Sequence, residues 1–189
     1  MFYKVSAKNL LSIRNNILLN AIPTLEEQGF EKSPFTSSWY GRNNLGDFSY
    51  YFARLSNSCL ELIHFHICRG DRWIQGYLNI FELSPIPKTL SELKGVKGMA
   101  FNLPPDNLTR IRLDDMYLYE NRFRIFITEI FGINEYKLKS FYTKSGLVRR
   151  QQKLENLLKR EFKNIDLKVE LWHKIHKPMK TDWDGNPIS

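Results

Sequence analysis

The sequence predicts an α+β fold: an N-terminal helix, an antiparallel meander sheet of four or more strands, and a C-terminal amphipathic helix followed by a final strand. Three observations carry this. Apolar residues recur at helical spacing near both ends of the chain, the middle is rich in Tyr, Phe, Trp, Ile and Leu, and short Asn, Gly and Ser punctuation there leaves no room for crossover helices. The chain has 189 residues, 42% of them apolar, 14% aromatic and 25% charged. A chain of that size and composition buries a sizeable core without disulfides or a metal, and the composition excludes disordered and collagen-like proteins.

Leu10, Leu11, Ile13, Ile17, Leu18 and Ile22 place one apolar stripe on a helix over 7–22. Pro23 predicts a kink or a restart, with Thr24 and Glu27 as a capping box for one more turn before Gly29 ends it. Four strands follow, near 37–42, 47–55, 59–68 and 72–83, separated by Asn43-Asn44-Leu45-Gly46, Asn57-Ser58 and Gly70-Asp71. Pro85, Pro87, Pro104 and Pro105 mark a connector over 84–114, with a short helix near Thr89 to Lys94 and a strand near Leu108 to Leu113. Phe123, Phe126, Ile127, Ile130 and Phe131 fit a helix stopped by Gly132, though their β-branched content leaves a strand open.

Leu147, Leu154, Leu157, Leu158 and Phe162 define the late amphipathic helix over 146–164. The alternation of Leu167, Val169, Leu171, His173 and Ile175 then predicts the final strand. Residues 1–176 read as a single domain and 177–189 as a flexible tail or a strap over the surface. No apolar run is long enough to span a bilayer and the N-terminus lacks a signal-peptide core, so a cytoplasmic location and no membrane contact are expected. Cys59 and Cys68 fall nine positions apart on one expected strand, too far apart to bridge.

The net charge is +8, and its distribution is uneven. Residues 137–163 hold nine Lys and Arg against two Glu, whereas the rest of the chain is close to neutral. Within that segment Arg149, Lys153, Asn156, Arg160 and Lys163 fall within about 40° of one line on a helix of ~3.6 residues per turn, a polar ridge roughly 21 Å long opposite the leucines. An ordinary solvated face has the same appearance. A concentrated field nevertheless suits an anionic partner, either a protein with an acidic surface or a nucleic acid.

Candidate chemistry is sparse. His64 and His66 share one strand face and could offer two metal ligands, with Cys68 on their side and Glu61 facing away, but a third ligand must come from elsewhere. Pro105-Asp106 with Glu135-Tyr136-Lys137 spells the two halves of a metal-dependent nuclease pattern, in which two carboxylates hold a divalent ion and the lysine assists the attacking water. Chance produces such triplets in a Lys- and Glu-rich chain, so no catalytic residue, metal or cofactor is assigned. Nucleophile elbows, phosphate loops and dinucleotide fingerprints do not occur in the sequence.

The helix, Gly29-Phe30-Glu31-Lys32 and the aromatic meander to Asn79-Ile80-Phe81 resemble a family of uncharacterised bacterial domains in which a helix ends at a Gly-Phe-x-Lys turn before an antiparallel sheet. The resemblance covers about the first 85 residues. It implies an immunity-like or accessory role exercised through a protein partner, and it is silent about the basic ridge. The expectation is therefore a binding domain with a protein partner, with nucleic-acid binding through the basic helix as the alternative and a metal-dependent nuclease third.

Overall fold

The computed structural model of the chain describes residues 2–102, 109–113 and 137–188. Strand β1, Tyr3–Lys4, leads into α1, Ala7–Glu26, whose N-cap Ser6 accepts a hydrogen bond from the Asn9 amide. The predicted apolar stripe is the buried side of this helix. Pro23 does not restart it. The ring lies on the exposed side, within the last turn, where the missing N–H forfeits a single bond near a helix end. Gly29, at φ +83°, then supplies the left-handed residue that turns the chain away.

Short strands β2, Glu31–Lys32, and β3, Tyr40–Arg42, flank the long strand β4, Phe48–Ser56, which continues into β5, Cys59–Ile67, and β6, Gln75–Leu83. Pairing is antiparallel throughout this meander, with Phe52 opposite Ile63 and Ile63 opposite Leu78. The β4 to β5 turn is made by Asn57 and Ser58, both at positive φ (48° and 67°), as a two-residue hairpin requires. Two 3-10 turns, Leu90–Leu93 and Met99–Asn102, precede β7, Ile111–Arg112, which extends the sheet beyond β6. The chain returns in β8, Phe141–Tyr142, which pairs with β1 in a separate two-stranded ribbon, and enters α2, Lys144–Lys163.

Strand alternation divides the sheet into two faces. Phe52, Ile63, Phe65, Leu78 and Ile80 meet α1 and α2 in the larger core, and Ala53, Leu60, Leu62, Phe81 and Leu83 meet Phe35, Leu93 and Phe101 on the reverse. Helices therefore cover one face and irregular chain covers part of the other.

Residues 165–175 depart from the sequence reading. They form α3, Ile165–Ile175, not a strand. Its buried positions are Ile165, Lys168 and Trp172, spaced three and four apart, while Leu167 of the alternating set is 54% exposed. The helical signal is hidden because its middle member is a lysine. Lys168 Nζ reaches the Leu113 carbonyl and Glu161 (2.8 Å), so these partners satisfy its charge and its stem is left for the core. The strand that follows a C-terminal helix is instead β9, Met179–Thr181, which pairs parallel to β6. Of the tail and the strap expected over 177–189, the described residues follow the strap. Trp183 Nε1 donates to the Pro85 carbonyl (2.6 Å) and its ring joins the smaller core. The helix expected around Phe123 to Phe131 lies outside the described residues.

Candidate binding face on the C-terminal helix

Helix α2 begins at N-cap Thr143, whose hydroxyl accepts from the Gly146 amide (3.1 Å). Leu147, Leu154, Leu157, Leu158 and Phe162 are buried against α1 and the sheet. Burial of that stripe fixes the rotation of the helix and so dictates which residues face water. Arg149, Lys153, Asn156, Arg160 and Lys163 are all exposed, and together they form the side opposite the leucines.

The two glutamates of the segment are drawn away from this side. Glu155 accepts from Lys159 (2.7 Å) and from Asn20 of α1 (3.0 Å), bonds that hold its carboxyl below the ordinary carboxylate range. Glu161 turns inward to the buried Lys168, with Arg160 reaching it at 3.2 Å. Lys153 and Arg160 make further contacts of their own, so the face is a set of partly anchored cations on a rigid helix. Arg150 is on another side, where Nε and one terminal nitrogen donate to the Lys137 carbonyl (3.2 and 2.9 Å). Asn156 accepts from Gln152 (3.1 Å), which leaves its amide nitrogen available at the middle of the ridge.

The histidine pair occupies the outer face of the sheet. His64 stacks on Tyr51 (4.2 Å between ring centroids), and His66 lies edge-on to Tyr51 at 5.7 Å. Ser49 Oγ is 3.3 Å from His66 Nδ1, and the Arg110 guanidinium covers the Tyr77 ring at 4.1 Å. Burial, then the neighbouring His66 and Arg110, lowers the His64 pKa to about 3, and burial followed by Arg110 lowers that of His66. Both rings are therefore neutral near pH 7 and sit in an aromatic stack. Glu61 is on the opposite face with Arg54, as the strand alternation predicts. Among the described residues no group of three His, Cys, Asp or Glu side chains could hold a metal ion.

Of the nuclease-like residues, Lys137 lies 4.3 Å above the Trp73 ring, in a cation–π contact, and pairs with Trp73 as an isolated β-bridge. Asp106 and Glu135 are outside the described residues. Cys59 and Cys68 are free thiols.

Three charged groups inside the fold went unnoticed in the sequence, Arg14 and Lys168 buried and Arg54 half-buried. Arg14 is fully buried and donates to the carbonyls of Leu10 (3.1 Å), Trp73 (2.9 Å) and Cys68 (3.0 Å), tying α1 to the β5–β6 connection. Arg54 bridges Glu61 and Asp166 at 2.7 Å each and donates to the Gln28 carbonyl (2.8 Å), joining sheet, α1 and α3. Lys168 is the third. Each braces the fold from the helix side of the sheet. Among the described residues no helix is long and apolar enough to cross a membrane. Comparison with protein-family models, with curated proteins and with solved structures finds no match to the chain.

Proposed function

We propose that the chain acts by binding rather than by catalysis, docking an anionic macromolecular partner on the exposed side of α2. The observation that supports this is the rotation of that helix: its leucines are buried, its two glutamates are turned aside, and the five ridge residues are all on the surface. A rigid helix presenting cations along ~21 Å holds them at fixed spacing, so a partner loses only its own freedom on docking. We take the chain to act in the cytoplasm, the compartment its sequence leads us to expect. A protein with an acidic surface is the first reading, in keeping with the accessory, immunity-like role that the resemblance implies. Nucleic acid is the second, favoured by the exposed Phe2 and Phe141 at the ribbon that precedes α2.

The test uses heparin as a generic polyanion. Wild-type protein is retained on a heparin column and elutes at raised salt, whereas the triple variant R149E/K153E/R160E passes through with an unchanged circular-dichroism spectrum. Equal retention of the two proteins rejects the ridge.

A further inference from the structure

Residues 1–25 and 136–154 contain no Asp or Glu, and the fold joins them. Tyr3 pairs with Tyr142 and Lys4 with Phe141, and the Val5 amide extends the ladder to the Ser140 carbonyl (2.8 Å). The register puts Lys4 and Phe141 on one side of this ribbon and Tyr3 and Tyr142 on the other, and carrying the same alternation past the paired residues assigns Phe2 and Lys139 to the side of Lys4. Tyr142 is buried, so its side is the inner one. On the outer side Phe2 is 75% exposed and Phe141 59% exposed, and both lysines are exposed.

Two solvated phenyl rings interleaved with two ammonium groups form a surface of unusual composition. Burying such a ring recovers hydrophobic free energy that the fold itself leaves unused. Cationic neighbours exclude most apolar partners and favour one whose flat apolar groups alternate with negative charge. The surroundings reinforce that preference: Lys8 and Lys144 are exposed in the first turns of α1 and α2, and neither first turn contains an acidic residue. Beyond Lys144 the same helix carries the ridge from Arg149 to Lys163.

Resting on the second reading of α2, as a docking face for nucleic acid, we propose that this nucleic acid is single-stranded. Its bases stack on Phe2 and Phe141, and its phosphates run from Lys4 and Lys139 along the α2 ridge. Stacking tolerates any base because every base has a π-face, so the ribbon confers preference for unpaired strands and little sequence preference. A duplex, whose bases are stacked internally, meets only the lysines and the ridge.

The experiment is fluorescence anisotropy with three labelled probes: oligo-dT of about 12 nucleotides, an abasic strand of the same length and charge, and a duplex of about 12 base pairs. The expected result is that oligo-dT binds at least about tenfold more tightly than the abasic strand, that F2A and F141A each weaken oligo-dT about 5- to 100-fold with little effect on the abasic strand, and that F141W restores it. Both rings are exposed, so unchanged thermal unfolding of the variants is part of the expected result. Equal binding of oligo-dT and the abasic strand overturns the stacking platform, as does oligo-dT binding that ignores both phenylalanine substitutions. Heparin retention that R149E/K153E/R160E abolishes leaves the ridge reading standing alongside either outcome, whereas equal heparin retention of wild type and that variant removes the ridge reading separately.

Discussion

Acidification should destabilise this fold in a manner traceable to one side chain. His64 is 7% exposed, stacks on Tyr51, and faces His66, Tyr77 and Arg110 on the outer side of the sheet. Its pKa in the folded protein is about 3, against 6.5 for an unhindered imidazole. Between those values the unfolded chain binds a proton that the folded chain refuses, so stability falls as pH falls through that window. Taking the two values, lowering the pH from 7 to 4.5 costs on the order of 2 to 3 kcal/mol from this ring alone. The His64→Phe substitution keeps the stack and removes the proton site. Urea unfolding of both proteins at a series of pH values measures the difference, with the wild-type midpoint falling more steeply below pH 6.5. Parallel curves for the two proteins would refute the reasoning, as would an imidazole titration of the folded protein near 6.5.

Further substitutions test how the elements that carry the binding face are held. Lys168→Ala leaves Glu161 buried beside an unfilled space and should cost about 3 to 5 kcal/mol by chemical denaturation, while the double substitution K168M/E161L recovers much of that loss. Arg54→Ala strips Glu61, Asp166 and the Gln28 carbonyl of a shared donor and should lower stability by about 3 kcal/mol in urea unfolding at neutral pH. Leu154→Ala opens a cavity under α2 and should cost about 2 to 5 kcal/mol, whereas Arg149→Ala on the opposite side should change stability by less than about 0.5 kcal/mol.

The parts of the fold that were legible in the sequence are those where apolar side chains alone determine the period. Leu10 to Ile22, the β4 to β6 meander and Leu147 to Phe162 all bury aliphatic and aromatic residues at the spacing of their element. The reading failed where a polar residue occupies a core position or where context outweighs a local rule. Lys168 in the middle of the buried stripe of α3 makes a helix look like an alternating strand, and Trp172, the largest fully buried side chain among the described residues, fell between the residues chosen for that alternation. Pro23 suggested a break because proline costs a helix bond, yet so near the helix end, with Leu18, Ala21, Ile22 and Leu25 buried around it, packing holds the last turn.

The ridge was legible because helical spacing and residue type are both sequence properties, and the burial of its opposite side places it on the surface. Its relation to the glutamates was not. Glu155 bonds to Asn20 and Glu161 to Lys168, partners that only the packing of α1 and α3 against α2 brings near. The ribbon was equally hidden, since Lys4 and Phe141 are far apart in the chain and become neighbours only through strand pairing. The absence of acidic residues from both contributing stretches was the available signal.

The salt dependence of oligo-dT affinity, compared between wild type and R149E/K153E/R160E, tests most directly whether the exposed side of α2 is the docking face. The predicted result is a straight fall of log affinity with log salt, with a slope steeper than about −2 for wild type and binding too weak to measure for the variant at moderate salt. Affinity that is indifferent to salt, or identical in the two proteins, would contradict it.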